Sequence, residues 1–329
     1  MTMHLRTRTL PADANAPFAA ARVLAAGGLV AFPTETVYGL GADATNAEAV
    51  ARLYAAKGRP SFNPLIAHAA DGAAAQRLAT FNAAAQRLAD AFWPGPLTLV
   101  LPRAENCPVA DLATAGLGTI AVRVPAHPLA HAILSAFGGP VVAPSANASG
   151  HVSPTTAAHV LDDLAGRIDL VIDGGATPVG VESTIIGCWA EPVLLRPGGI
   201  ARTAIERVLG RPLADPPAAR DLPAAPGMLA SHYAPRARLR LDATQVNPGE
   251  ALLAFGGRLP PGADKAAAVL NLSAQGHLGD AAAHLFAHLR ALDATGAPSI
   301  AVMPIPREGL GEAINDRLAR AAAPKASAP

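Results

Sequence analysis

Residues 29–68, LVAFPTETVYGLGADATNAEAVARLYAAKGRPSFNPLIAH, join two apolar segments through a helix-like one. LVAF (29–32) reads as a buried strand. Asn46 is placed to cap a helix through AEAVARLYAAK, with Glu48 in its first turn. PLIAH (64–68) is strand-like again. The same alternation extends outward. PFAAARVLAAG (17–27) reads as a helix with Pro17 in its first turn, and Asn82 can cap an alanine-rich helix ending near Phe92. LTLVL (97–101), TIAVRV (119–124), PVVA (140–143), DLVI (169–172), STIIG (183–187) and VLLR (193–196) read as further strands. Short continuous apolar strands between helices predict an α/β domain with a covered sheet. Several strands follow one another with no helix between them, so parallel and antiparallel pairs are expected together.

Residues 211–237, RPLADPPAARDLPAAPGMLASHYAPRA, break this rhythm. Six prolines in 27 residues exclude a regular helix or a central strand and predict an extended, semi-rigid linker. Beyond it RLRL, ALLAF, AAVLNLS and PSIAVMPI alternate with helical patterns over 279–293 and 308–323. The organisation expected is a catalytic-sized domain over 1–210, a linker over 211–237 and a small α/β domain over 238–329.

Composition narrows the function. The chain has 329 residues, 51% hydrophobic and 16% charged, too apolar and too weakly charged for a disordered chain. No apolar run is long enough to span a membrane, and the basic start MTMHLRTRTLPAD has no apolar segment behind it, so a cytoplasmic protein is expected. Two cysteines, Cys107 and Cys188, exclude a disulfide framework or a Cys-rich metal site and read as incidental thiols. A net charge of +1 gives no case for a general nucleic-acid binder, though a local basic site stays possible.

Five polar clusters fall at strand ends. Thr34-Glu35-Thr36 opens a hydroxyl-rich, Gly-flanked loop that follows a strand and precedes a helix; it is either a capped connection or a ligand loop. Gly39-Leu40-Gly41 mimics a dinucleotide fingerprint but comes too far after the strand. Lys57-Gly58-Arg59-Pro60, a basic segment expected on the surface, either complements a helix dipole or clamps phosphate. His68, alone, reads as structural. Ala143-Pro144-Ser145-Ala146-Asn147, with Ser153-Pro154-Thr155, is a capped turn or a set of small donors around an anion. Glu182-Ser183-Thr184 and Arg196-Pro197-Gly198-Gly199 pair hydroxyls with an arginine at strand ends. Arg123 lies inside an apolar strand, where burial is costly without an anionic partner. Together the clusters point to a nucleotide or acyl-phosphate site. The chain contains no P-loop, H-E-x-x-H helix or nucleophile elbow.

PTETVYGLG, KGRP with NPLIAH, WPGPLT, TIAVRVP, APSAN with SPT, VESTII and LLRPGGI occur in that order. Over about residues 15–210 this chain resembles the YrdC-like domain of threonylcarbamoyl-AMP synthases. APGMLASHYAP and the small last domain resemble the two-domain form of that family, although Leu229-Ala230-Ser231 stands where family linkers often carry basic or aromatic residues. The resemblance implies an N-terminal YrdC-like α/β domain with a mixed twisted sheet and a small C-terminal Rossmann-like α/β domain. It implies a nucleotidyltransferase that makes L-threonylcarbamoyl-AMP and pyrophosphate from L-threonine, bicarbonate and ATP, with Mg2+ accompanying ATP. Other proteins would then carry the group to adenosine 37 of tRNA. It places L-threonine against Thr36, His68, Arg123, Ala143 and Ser183. ATP would lie against Arg59, Asn63, Thr119, Ser145, Ser153, Arg196 and, from the linker, Tyr233. Lys57, Arg59 and Asn147 would serve the phosphates and the carbamate. One other reading remains, an RNA-binding module of the same fold with weak tRNA contact; a hydrogenase-maturation relative would need zinc fingers, which two cysteines exclude.

Overall fold

The computed structural model describes residues 5–216 and 232–324. The first part of the chain contains β1 (Arg8–Pro11), α1 (Ala16–Ala25), β2 (Val30–Pro33), β3 (Tyr38–Asp43), α2 (Ala47–Lys57), β4 (Ile66–His68), α3 (Gly72–Gln76), α4 (Ala83–Phe92), β5 (Leu97–Pro102) and β6 (Thr119–Arg123). It continues with α5 (Pro128–Phe137), β7 (Val141–Val142), α6 (Ala157–Leu164), β8 (Leu170–Asp173), β9 (Thr184–Cys188), β10 (Pro192–Arg196) and α7 (Arg202–Leu209). Its ten strands form one mixed sheet in the order β1-β8-β2-β3-β7-β4-β6-β5-β9-β10.

The helix caps follow the sequence chemistry. The Asn46 side chain accepts from the amides of Glu48 and Ala49, and α2 ends at Gly58 in the left-handed region. The Asn82 side chain accepts from the Ala85 amide to start α4. One side of the sheet is covered by a large core that includes Leu29, Leu53, Leu88, Val122 and Val160. A separate apolar patch, Ile66, Val100, Ala121, Ile185, Val193 and Leu195, lies on β4, β6, β5, β9 and β10, the half of the sheet that ends at the β10 edge.

Two expectations need correction. The segment after LVAF is not a loop running into a helix. Residues 34–37 make a tight turn, and Tyr38–Asp43 return as a strand antiparallel to β2, with Val30 opposite Gly41. The backbone ladder tolerates the glycines that made this stretch read as loop, and it rules out a phosphate-binding glycine turn there. Lys57 is also not on the surface: it ends α2 and is 3% exposed.

After the proline-rich segment come β11 (Arg238–Arg240), β12 (Ala251–Ala254), β13 (Val269–Asn271), α8 (Leu278–Ala294), β14 (Ser299–Val302) and α9 (Leu310–Ala322). This second domain is a parallel sheet, β11-β14-β12-β13, whose core includes Leu253, Phe286, Ile300 and Ile314. Of the segment between the sheets, residues 217–231 lie outside the described residues; Ala214 adds to the β10 edge through Val193, and Tyr233 packs among the second core. Among the described residues no helix is long and apolar enough to cross a membrane.

Candidate active site

The site lies on one face of the first sheet, and strand register explains its composition. His68 of β4 is paired with Arg123 of β6 and with Val141 of β7, so their side chains project from the same face. Ile66 lies two residues before His68 on that face, and the Ala143 amide donates to its carbonyl. Residues 143–147 then run beside β3, where the Leu40 amide donates to Pro144 and the Ala146 amide to Tyr38. A cleft of about 480 Å3 is lined by Thr36, Arg59, His68, Arg123, Ala143, Ser145, Glu182, Ser183, Arg196, His232 and Tyr233, among others.

The turn at 34–37 is organised by Thr34, whose hydroxyl donates to the Val37 carbonyl at 2.7 Å and lies 2.8 Å from the Thr36 hydroxyl. That geometry aims Glu35 and Thr36 at Arg123. Arg123 Nη2 meets Glu35 Oε1 at 2.6 Å and Nη1 donates to Thr36 Oγ1 at 3.0 Å. Glu35 Oε2 accepts the Ala126 amide at 3.1 Å. Burial alone would raise the Glu35 pKa, but the Arg123 charge and these hydrogen bonds hold it below the usual carboxylate range. The anion that a buried arginine required is therefore within the chain. Arg123 Nε remains buried without a partner.

His68 Nδ1 lies 3.2 Å from the Ile66 carbonyl, which can only accept, so Nδ1 carries the proton. Burial, followed by the charge of Arg123, lowers the His68 pKa to about 3, and the ring is neutral at pH 7. Ser183 Oγ lies 2.8 Å from Thr98 Oγ1 and accepts from Arg196 Nη2 at 3.1 Å. Arg196 also donates twice to the Ser183 carbonyl.

Arg59 is held by the carbonyls of Asn63 and Pro64 at 3.2 and 3.0 Å. Burial lowers its pKa to about 10, so it stays charged near neutrality. Lys57 Nζ donates to the carbonyls of Ser145 and Asn147, each at 2.5 Å, tying the end of α2 to the 143–147 segment. Burial drives its pKa well down, and the neighbouring Arg59 adds to the shift. The side-chain oxygens of Asn63 and Asn147 are buried and unpartnered.

Five expected site residues, Lys57, Asn63, Thr119, Asn147 and Ser153, lie outside the cleft lining. Ser153 is fully buried behind the cleft and donates to Glu182 at 2.5 Å. Thr119 shares the face of Arg123 on β6 but lies four residues back, beside the apolar patch and outside the cleft lining. Asn147 turns its amide nitrogen to the carbonyls of Ala148 and His151. Tyr233 does reach the cleft. It is 1% exposed, has a φ of 62° and stacks on Phe286 with ring centroids 5.5 Å apart. A bulky residue rarely adopts that backbone conformation, so its packing must hold it there. His232 lies edge-on to it, neutral because burial lowers its pKa to about 3.

Glu35, Glu182 and Thr98 were not assigned roles by sequence reasoning. For Glu35 a signal existed, since a buried arginine demands an anion. Cys188 is buried with its pKa raised to about 12 by burial, so its thiol is protonated near neutral pH.

A mixed sheet carrying this cleft matches the Sua5–YciO–YrdC family model, described as "Telomere recombination", over residues 22–198. A second model, "Threonylcarbamoyl-AMP synthase, C-terminal domain", matches residues 200–323. The threonylcarbamoyl-AMP synthase of Bacillus subtilis is 43% identical over 92% of each chain. The crystal structure of Pyrococcus abyssi Sua5 complexed with L-threonine superposes with a TM-score of 0.86 at 40% identity, covering 95% of this chain and 96% of that one. A doubly substituted form of the same archaeal protein gives 0.87 at 38% identity, with 96% of each chain covered. The chain belongs to the threonylcarbamoyl-AMP synthase family, in its two-domain form.

Proposed function

We propose that this chain is an L-threonylcarbamoyl-AMP synthase supplying the threonylcarbamoyl group for adenosine 37 of tRNA. The amine of L-threonine and bicarbonate condense to a carbamate with loss of water. A carbamate oxygen then attacks the α-phosphorus of ATP, and the bond to pyrophosphate breaks. Both partners in that step are anions, so the protein's task is charge neutralisation and alignment, and no protein nucleophile is needed. The observation that carries this reading is the convergence of Thr36, His68, Arg123, Ala143 and Ser183 with Arg59, Ser145 and Arg196 in one cleft.

Arg123 takes the threonine carboxylate with its unpartnered Nε, while Glu35 keeps the guanidinium fixed. The neutral ring of His68 adds no charge that would repel the amine. Arg59 and Arg196 face the phosphates. Lys57 acts through the two carbonyls it holds, shaping the segment that carries Ser145 and Asn147. The base and ribose extend along the apolar patch towards Asn63 and Thr119. Magnesium arrives as part of MgATP. Glu35 and Glu182 are both committed to arginines, and among the described residues no group of three His, Cys, Asp or Glu side chains could hold a metal. His232 and Tyr233 act as a lid that shields the acyl-adenylate from water. Pyrophosphate release by the purified chain, with threonine or bicarbonate omitted in turn, tests the reading. Release must require both.

A further inference from the structure

Arg317 is carried by α9 of the second domain, yet it ends inside the first domain's site. Its side chain is fully buried. Nε donates to Glu182 Oε2 at 2.7 Å and Nη2 to the Pro197 carbonyl at 3.0 Å. The guanidinium lies over the Tyr233 ring, 5.2 Å from its centroid. Glu182 is one of the cleft-lining residues, and its other oxygen accepts the Ser153 hydroxyl. One side chain thus contacts the loop before Ser183, the turn after Arg196 and the lid tyrosine. The two loops it bridges are already in close contact: a Cβ on Gly198 would lie 2.4 Å from Glu182 O and Thr184 N.

Holding the domains together does not require this placement. Arg290 of α8 pairs with Asp163 at 3.0 Å, and Arg202 pairs with Glu312 of α9 at 2.8 Å. Neither pair lines the cleft. Arg317 differs in what it neutralises. A carboxylate facing a triphosphate site repels the substrate and competes with the phosphates for nearby cations. Arg196 is close enough to Glu182 for its charge, after that of Arg317, to help hold the carboxylate ionised.

We infer that Arg317 is a positioning residue for ATP: through it the second domain masks Glu182, leaves Arg196 directed at the phosphates and seats Tyr233. This rests on the reading of the cleft as an ATP and threonine site. It assigns the second domain a direct part in nucleotide affinity, with threonine affinity left to Thr36, His68 and Arg123.

The test uses the full chain, with MgATP and L-threonine binding followed separately by calorimetry. Arg317→Met should weaken MgATP by about tenfold or more, as expected when one partner of a buried charge pair is removed. Threonine affinity should stay within about twofold, the limit for sites that do not couple. Adding Glu182→Gln to Arg317→Met removes the carboxylate charge left in the cleft, while Asp316, the other carboxylate on Arg317, keeps its pair with Arg320 at 2.9 Å, and should restore MgATP binding to within about threefold of wild type. Arg317→Lys, which keeps the charge but not the fork, should fall between wild type and Arg317→Met. If Arg317→Met does not fold, Arg317→Lys and the double variant decide the matter by the same comparison. A purely structural latch would lower Tm with MgATP affinity unchanged, or weaken both ligands together with no recovery in the double variant. Either result overturns the inference. The wild type is first checked for threonine- and bicarbonate-dependent pyrophosphate release. Failure there defeats the functional reading, whereas normal release combined with unchanged MgATP binding in Arg317→Met defeats only the role of Arg317.

Discussion

Glu35→Gln isolates the pair at the centre of the threonine half of the cleft. The substitution keeps the shape of the side chain and removes its charge, leaving Arg123, 4% exposed, as a buried cation without its counter-ion. Losing one member of a buried pair typically costs about 3–5 kcal/mol, so Tm should fall on the order of 10 °C. The pH dependence has a definite sign. The Glu35 pKa is lowered on folding, so its contribution is present above the unfolded carboxylate value of about 4.3 and is lost as pH falls below it. The gap between wild type and Glu35→Gln should therefore be full at pH 7 and close as the solution is acidified below pH ~4. L-Threonine adds a second readout. If its carboxylate lies against Arg123, it supplies the missing anion and should stabilise the variant more than the wild type. A tenfold tighter complex would add about 1.4 kcal/mol at saturating ligand. Thermal unfolding from pH 3 to 8, with and without threonine, measures all of this. A variant within about 1 kcal/mol of wild type at pH 7 would refute the buried-pair argument. Equal stabilisation of both proteins by threonine would refute the placement of the substrate carboxylate.

Other outcomes follow from the same geometry. Arg59→Ala should lose about 2.7–4 kcal/mol of transition-state stabilisation in kcat/KM with a smaller fall in Tm than Lys57→Met, because the Asn63 carbonyl it releases keeps the Tyr54 hydroxyl. Lys57→Met should also lower Tm, because it strands two buried carbonyls at roughly 1–3 kcal/mol each; steady-state rates and thermal melts on both variants separate the two. Serine should be poorer than threonine by about 1–3 kcal/mol in kcat/KM, the worth of one methyl in a fitted pocket, and equal values would count against that pocket. Tyr233→Ala should weaken ATP binding and release more free AMP, seen by chromatography of the products; wild-type ATP affinity would reduce the linker to a tether.

The apolar strands were legible because LVAF, LTLVL and STIIG are buried on both faces, and the helices at Asn46 and Asn82 because the caps sit where the apolar period begins. Tyr38–Asp43 was not, since its two glycines and the polar turn before it carry the composition of a loop, although its ladder partner β2 lies just before it across that turn. α5 and α7 also went unread. Within the site, Arg123 announced a need for charge, but the identity of its partner depended on the turn that aims Glu35. Lys57 read as exposed because a lone lysine at a helix end usually is; only the approach of the 143–147 segment buries it. Arg317 gave no local signal at all. Asn-Asp-Arg-Leu-Ala-Arg looks like a solvated helix face until the two domains are placed together.

The most direct test of the account is the product itself. The purified chain is incubated with MgATP, L-threonine and carbon-13-labelled bicarbonate, and the nucleotides are resolved by mass spectrometry. The account predicts threonylcarbamoyl-AMP carrying one labelled carbon, formed together with pyrophosphate and absent when threonine is left out. Pyrophosphate release without that labelled adenylate, or an adenylate with no carbon from bicarbonate, would contradict it.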